Sequence, residues 1–237
     1  MRRDTLPYRL GRRCLLLLWL WVLGTAAGVA FRGVVDPTTT AFMQERRGDL
    51  MQRKQKPDLG YSWTPYEQIA PLMRLAVVTA EDQQFPYHHG FDWDAMGAAF
   101  EHNSKSQRVR GGSTISQQTA KNLWLWPGHS YARKALEAWF TLLIEAEWSK
   151  RRILEMYLNV AQLDDAVFGV GAASRRLFGV APSALNREQA ALLAASLPAP
   201  DVYDVTDPSA HLQKRAYWIE DQMEGLGGTD YLSDMEH

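Results

Sequence analysis

Cysteine is almost missing from this chain: Cys14 is the one cysteine in 237 residues. That excludes an intrachain disulfide and a cysteine-based zinc site. Six histidines are present, but no HExxH pair occurs, and His88 and His89 are neighbours whose side chains diverge. The ligand spacing of a dedicated metal centre is therefore absent. Neither the GxxxxGK[ST] order of a P-loop nor the GxSxG of a serine-hydrolase elbow is found. No stretch alternates apolar and polar residues convincingly, as a half-buried strand would. There is no internal repeat and no low-complexity tract. Net positive charge is lacking beyond the N-terminus. The net charge is −1, yet the first thirteen residues hold five arginines against Asp4. The remainder is acidic on balance, which argues against a nucleic-acid partner.

Apolar and aromatic residues, by contrast, are plentiful, with nine tryptophans. Such a content suits a lipid-facing surface or a sugar-binding cleft. "CLLLLWLWVLGTAAGVAF", residues 14–31, runs without a charge and is just long enough to span a bilayer as a helix. The arginines before it predict a cytoplasmic tail at 1–13, a single-pass anchor in the inner (cytoplasmic) membrane, and everything after Phe31 on the periplasmic or outer side. A cleaved signal peptide is the competing reading, because "GVA" before Phe31 resembles a cleavage site. Both readings export the domain. Gly24 and Gly28 have a helix-pairing spacing that carries little weight alone.

Residues 32–60 read as a linker or membrane-proximal segment with room for one short helix, and carry Arg46, Arg47, Arg53, Lys54 and Lys56. The folded domain is expected over 61–225. Thr64 with Pro65 predicts a helix start, and Ile69, Leu72, Met73, Ala76, Val77 and Ala80 mark its buried face. Asp92 is expected to cap a short helix, and "NSKSQRVRGG" to form a mobile loop. Further helices are expected from "STISQQTAKNLWL", from "ARKALEAWFTLLIEAEW", from a Ser149-capped "KRRILEMYLNVAQ", and from an amphipathic "NREQAALLAAS". The last thirty residues look less regular. The expected fold class is mainly α.

Three stretches carry candidate chemistry. Glu81 and Asp82 end an apolar helix, where the negative end of the dipole raises a carboxyl pKa. A raised pKa serves a general base, although an acid at a helix end is more often structural. In "GGSTISQQTAKN", two glycines precede hydroxyls at a helix start, and Thr114 with Gln117 has capping-box spacing. Exposed N–H groups there, with Ser113, Thr114 and Lys121, would suit a phosphate, while a capped helix without ligand is the plainer alternative. In "RKALE", Arg133 and Glu137 share one helix face, and a surface ion pair is the plain reading.

The order of these blocks is more specific than any of them singly. "EDQQFPYHHGFD", "GGSTISQQTAKNLWL", "RKALEAWF", "SKRRILEMYLNVAQ" and "FGVGAASRRLFG" follow one another in a pattern that resembles the peptidoglycan glycosyltransferases of glycosyltransferase family 51, over about residues 60–200. The resemblance implies a lysozyme-like, two-lobed helical domain whose cleft opens toward the membrane, with the loop around 95–112 meeting the bilayer. It implies polymerisation of lipid II into a glycan strand, inversion at the donor MurNAc C1, and release of undecaprenyl pyrophosphate.

Glu81 then corresponds to the general base and Glu137 to the second catalytic glutamate. Ser113, Thr114, Gln118, Lys121, Arg133 and Lys134 correspond to the substrate and pyrophosphate ligands. Asp82 would support the base, Phe85, Gly90 and Phe91 would shape the wall, and His89 would be structural. No cofactor is required on this reading, although a divalent cation (Mg or Mn) near Glu137 is left open. Further partners would be other cell-wall synthesis proteins.

Three positions depart from the family pattern. His129 stands where an arginine is frequent. Asp164, Asp165 and Ala166 replace "GDG" or "GNG". Gly171 replaces the glutamate of "GVEAAS". Two rival functions remain open at this point: a lysozyme-like glycan hydrolase with two acids, and a membrane-anchored scaffold that binds lipid II with little or no turnover.

Overall fold

The computed structural model describes residues 6–56, 58–105, 111–128 and 130–235. It is mainly helical, as expected. The helices are α1 (Leu6–Val34), α2 (Ala41–Gln52), α3 (Pro71–Glu81), α4 (Trp93–Lys105), α5 (Ile115–Trp124), α6 (Tyr131–Glu147), α7 (Lys150–Val160), α8 (Val170–Leu177), α9 (Arg187–Ser196) and α10 (Ala210–Gly225). Three very short strands, β1 (Gly60–Tyr61), β2 (Gln162–Asp164) and β3 (Val167–Phe168), form a sheet in the order β1-β3-β2. β1 runs parallel and β2 antiparallel to β3. Pairs this short leave no alternation to read in a sequence.

Hydroxyl and amide caps set most helix starts. Thr40, Thr114, Ser130, Ser149, Asn186 and Ser209 each accept the N–H three residues on, which satisfies a donor the helix cannot. Thr114–Gln117 and Asn186–Gln189 close full capping boxes. Asp92 accepts the Ala95 N–H (2.8 Å) ahead of α4, as its position predicted.

The start expected at Thr64–Pro65 is not a helix start. Asn159 of α7 holds that segment: its side chain accepts the Thr64 N–H (2.7 Å) and donates to the Thr64 carbonyl (2.9 Å). A 3-10 turn follows at Tyr66–Gln68, and α3 begins only at Pro71. Two other expectations change. α9 is not amphipathic: Ala190–Ser196 is buried on every side between α3 and α10. The tail expected to be irregular forms α10, sixteen residues long, which buries Leu212, Ala216, Ile219 and Met223 against α9 and α3.

The helices pack in two groups around one continuous apolar core. α3, α9 and α10 make the first, and α2, α5, α6 and α7 the second. α2, from the segment read as a linker, packs on α5 and is part of the fold. α1 has the length and apolarity to cross a membrane over Gly11–Val34. Its second half docks on the domain. Trp21 stacks on Trp139 of α6 with centroids 5.2 Å apart, and the Trp139 indole N–H donates to Thr25 Oγ1 (3.2 Å). The Trp148 indole N–H donates to the Val29 carbonyl (3.0 Å).

Candidate active site

α3 ends on Glu81 because Asp82 leaves helical geometry (φ −162°, ψ 75°). Asp82 is buried and fully engaged. Its Oδ2 accepts the Ile115 N–H (2.9 Å), the first free donor of α5, and both its oxygens lie 2.9 Å from His88 Nε2. His88 Nδ1 accepts the Gly90 N–H (3.1 Å), so the Nε2 proton faces Asp82. One carboxylate thus clamps the C-terminus of α3 to the N-terminus of α5, which fixes Glu81 relative to α5. The structural histidine is His88. His89, expected in that role, is exposed.

Gly90 is in the left-handed region (φ +86°), and a Cβ there would lie 2.8 Å from Thr141 Cγ2. Its carbonyl accepts the Thr114 hydroxyl (2.7 Å). Thr114 also accepts the Gln117 N–H (3.2 Å) and is buried. The expectation that Thr114 binds pyrophosphate is therefore corrected: its hydroxyl is committed in both directions to capping α5 and to holding the 82–90 turn. Phe85 is likewise not on the cleft wall. It is wholly buried beneath the site, edge-on to His88.

The remaining expected residues converge. Gln118, one turn into α5, donates from Nε2 to Glu81 Oε2 (2.8 Å). Its other amide atom, Oε1, accepts the Tyr157 hydroxyl of α7 (3.1 Å), which sets the orientation of the amide. Gln118 and Lys121 lie at i,i+3 on α5 and share a face. They line two adjoining hollows, of about 320 and about 530 Å³, that form one groove under Phe42 of α2. The larger hollow also holds Ser113, Arg133, Lys134 and Glu137.

Arg133 Nη1 binds Glu137 Oε2 (2.8 Å), and Lys134 binds Oε1. This pair is no surface ion pair, because Arg133 and Glu137 are both buried. Three cations therefore face one carboxylate, an excess of positive charge in a sheltered hollow. Arg133 Nε is buried without a hydrogen-bond partner among the described residues. His129 lies outside the described residues, as does 106–110 of the loop expected at the bilayer.

The electrostatics separate the two glutamates. Burial pushes the Glu81 carboxyl up; the Gln118 hydrogen bond, Arg215 and Lys121 pull it down, and Asp82 adds to the rise. Burial also pushes the Lys121 ammonium down, against the attraction of Glu137. A carboxyl raised in this way has the character that a proton acceptor needs. Glu137 holds the cations in place. Both of its oxygens are engaged by Arg133 and Lys134. No group of three or more His, Cys, Asp or Glu close enough to hold a metal ion occurs among the described residues.

The sequence reading missed three contributors. Tyr157 lies inside a quoted block but gives no local sign of its role. Arg215 of α10, outside all the blocks, brings Nη2 to 3.8 Å from Glu81 Oε1. Asp165, part of a departure from the family pattern, pairs with Arg46, whose Nε–H also donates to the Asp165 carbonyl (2.8 Å); this ties the β2–β3 turn to α2.

Residues 48–224 match the sequence model of the family described as Transglycosylase, about three-quarters of the chain. The chain belongs to this family. A protein named "Biosynthetic peptidoglycan transglycosylase" from Pseudomonas fluorescens (strain Pf-5) is 47% identical over 228 residues, covering 96% of this chain and 95% of the relative. Proteins of the same name from Pasteurella multocida (strain Pm70) and Pseudomonas putida (strain KT2440) are also 47% identical. They cover 91% and 98% of this chain, and 87% and 97% of their own lengths. As a transglycosylase domain, the fold is lysozyme-like. Family membership also answers Gly171. A Cβ there would stand 2.2 Å from Thr64 Oγ1 and 2.7 Å from the Ser62 carbonyl, so the 62–64 segment, side chains included, fills the space.

Proposed function

We propose that this protein is a peptidoglycan glycosyltransferase that polymerises lipid II. The observation that carries the proposal is a cation-lined groove one hydrogen bond away from the base: Gln118, bonded to Glu81, lines the same hollow as Lys121, Arg133 and Lys134. Glu81 takes the proton from the 4-hydroxyl of the acceptor GlcNAc. The freed oxygen attacks C1 of the donor MurNAc, the C1–O bond to the diphosphate breaks with inversion, and undecaprenyl pyrophosphate leaves with the bonding electrons. The leaving group needs charge neutralisation more than a proton, which Lys121, Arg133 and Lys134 supply in a sheltered site. A hydrolase of neutral glycosidic bonds has no use for such a cluster, and would need a second free carboxyl group where Glu137 is bound to two cations.

α1 supports placement in the inner membrane as a single-pass anchor, with the domain on the outer side, since arginines precede the apolar run. Trp93 and Phe100 on α4, and Trp126 and Tyr131 around the start of α6, are exposed apolar side chains that suit contact with lipid where the substrate's polyprenyl chain resides.

The test is polymerisation of lipid II by the full chain in detergent. Wild type is expected to make glycan strands, and Glu81→Gln to make none while keeping its fold and its affinity for lipid II. Binding without product from wild type overturns the proposal in favour of a scaffold, and shortening of finished strands overturns it in favour of a hydrolase.

A further inference from the structure

Each oxygen of Glu81 faces a different helix, one through a hydrogen bond and the other through an ion pair. Gln118 binds Oε2 from α5. Toward Oε1 comes Arg215, at 3.8 Å, from α10, a helix beyond every motif that marks the site. The position of Arg215 follows from the packing of its helix. Leu212, Ala216, Ile219 and Met223 are buried against α9 and α3. Arg215 lies three residues after Leu212 and four before Ile219, so it shares their face and is turned toward the end of α3. Its guanidinium is about one-third exposed, while its Nε is buried with no hydrogen-bond partner among the described residues. Burying part of a guanidinium costs free energy, and a carboxylate beside it offsets that cost. The neighbouring carboxylate gives the group its reason to be there.

We propose that Arg215 is a positioning residue for the base: it fixes Glu81 Oε1 opposite Gln118 and keeps the carboxylate charged between substrate visits. This rests on the glycosyltransferase reading above. The charged and titratable groups that face Glu81 are Asp82 at the end of α3, Lys121 on α5, Tyr157 on α7 and Arg215 on α10. Burial and Asp82 favour the protonated form, and Tyr157 is itself uncharged. Lys121 belongs to the cation cluster and is engaged by an arriving diphosphate, whose charge cancels its pull. Arg215 is separate from that cluster and remains for the base.

The experiment compares wild type, Arg215→Gln and Arg215→Lys as full chains in detergent. The acidic limb of kcat/KM for lipid II polymerisation reports the base in the free enzyme. In Arg215→Gln it is expected to move up by about one pH unit, the low end for a lost ion pair because the guanidinium is partly exposed. Activity lost at neutral pH should return as pH rises. In Arg215→Lys, which keeps a charge on a shorter stem, the limb should move up by less.

A second readout needs no turnover: 13C titration of the Glu81 carboxyl, assigned by its absence in Glu81→Gln, should show the same rise. An unmoved limb and an unmoved titration overturn the proposal, as does an equal loss of rate at every pH. If Arg215→Gln does not fold, Arg215→Lys decides: a small upward move supports the role, and a lower rate with the limb in place overturns it. If wild type makes no glycan, the glycosyltransferase reading fails and the carboxyl titration still tests Arg215.

Discussion

Restoring the family's glutamate at Gly171 should damage this protein, and the size of the effect can be worked from the contacts. Gly171 lies in the first turn of α8, where alanine would ordinarily be the better helix former by at most about 1 kcal/mol. Against that gain stands the space. The first carbon of any side chain would sit 2.2 Å from Thr64 Oγ1, 2.7 Å from the Ser62 carbonyl and 2.9 Å from Ser62 Oγ. None of these is the loose end of a long side chain. The Thr64 backbone is fixed by both ends of the Asn159 amide, and Arg175 of α8 donates to Ser62 Oγ (3.2 Å). Overpacking of this kind costs about 1–3 kcal/mol, so the clash outweighs the propensity. For a domain of this size each kcal/mol lowers Tm by about 2–4 °C. Contacts this short put the clash at the upper end of the overpacking range, which leaves a net loss of about 1–2 kcal/mol, and Gly171→Ala should melt about 2–8 °C lower than wild type in the same detergent. Gly171→Glu should melt lower still, because its carboxylate enters a buried site. Removing the nearest obstacle with Thr64→Ala should recover part of the loss in the double variant. A Gly171→Ala protein as stable as wild type would refute the packing argument.

Two further outcomes are expected. The Glu81 carboxyl is raised above its unfolded value by burial; a raised carboxyl contributes stability when protonated and loses it as pH climbs through the folded-state pKa. Glu81→Gln should therefore melt no lower than wild type above neutral pH, and its advantage should shrink as pH falls; a clear drop in Tm at alkaline pH would contradict this. Tyr157→Phe removes the hydroxyl that sets the Gln118 amide. It should cost about 1 kcal/mol of stability and lower kcat several-fold with little change in KM, as measured by initial rates over a range of lipid II concentration.

Local chemistry was legible where the interaction is local. The Thr114–Gln117 box, the Ser149 cap and the Asp92 cap each join residues three apart, and each was visible as spacing. The start of α3 was not, because the partner that takes over the Thr64 backbone is Asn159, ninety-five residues away. α9 reads as amphipathic until α10 covers its second face, and nothing in "HLQKRAYWIEDQM" announces that cover. The same distance hides Arg215: an arginine on a surface-looking helix becomes informative only when α10 is laid against α3. Thr114 shows the opposite difficulty. Its residue type suits either a cap or an anion, and only the Gly90 carbonyl at 2.7 Å decides for the cap. His88 and His89 are equivalent as letters, and the turn that ends at Gly90 chooses between them.

α1 is joined to the domain at three points, through Trp21, Thr25 and Val29. Trp139, which stacks on Trp21, sits on α6, and the first turns of that same helix carry Arg133 and Glu137. Arg133 and Lys134, two of the cations proposed to hold the departing diphosphate, are thus less than two turns of one helix from the contact with α1. Where α1 spans a bilayer, as proposed, these contacts would set the height of the groove above the lipid and would pass any tilt of α1 in a thicker or thinner bilayer on to it.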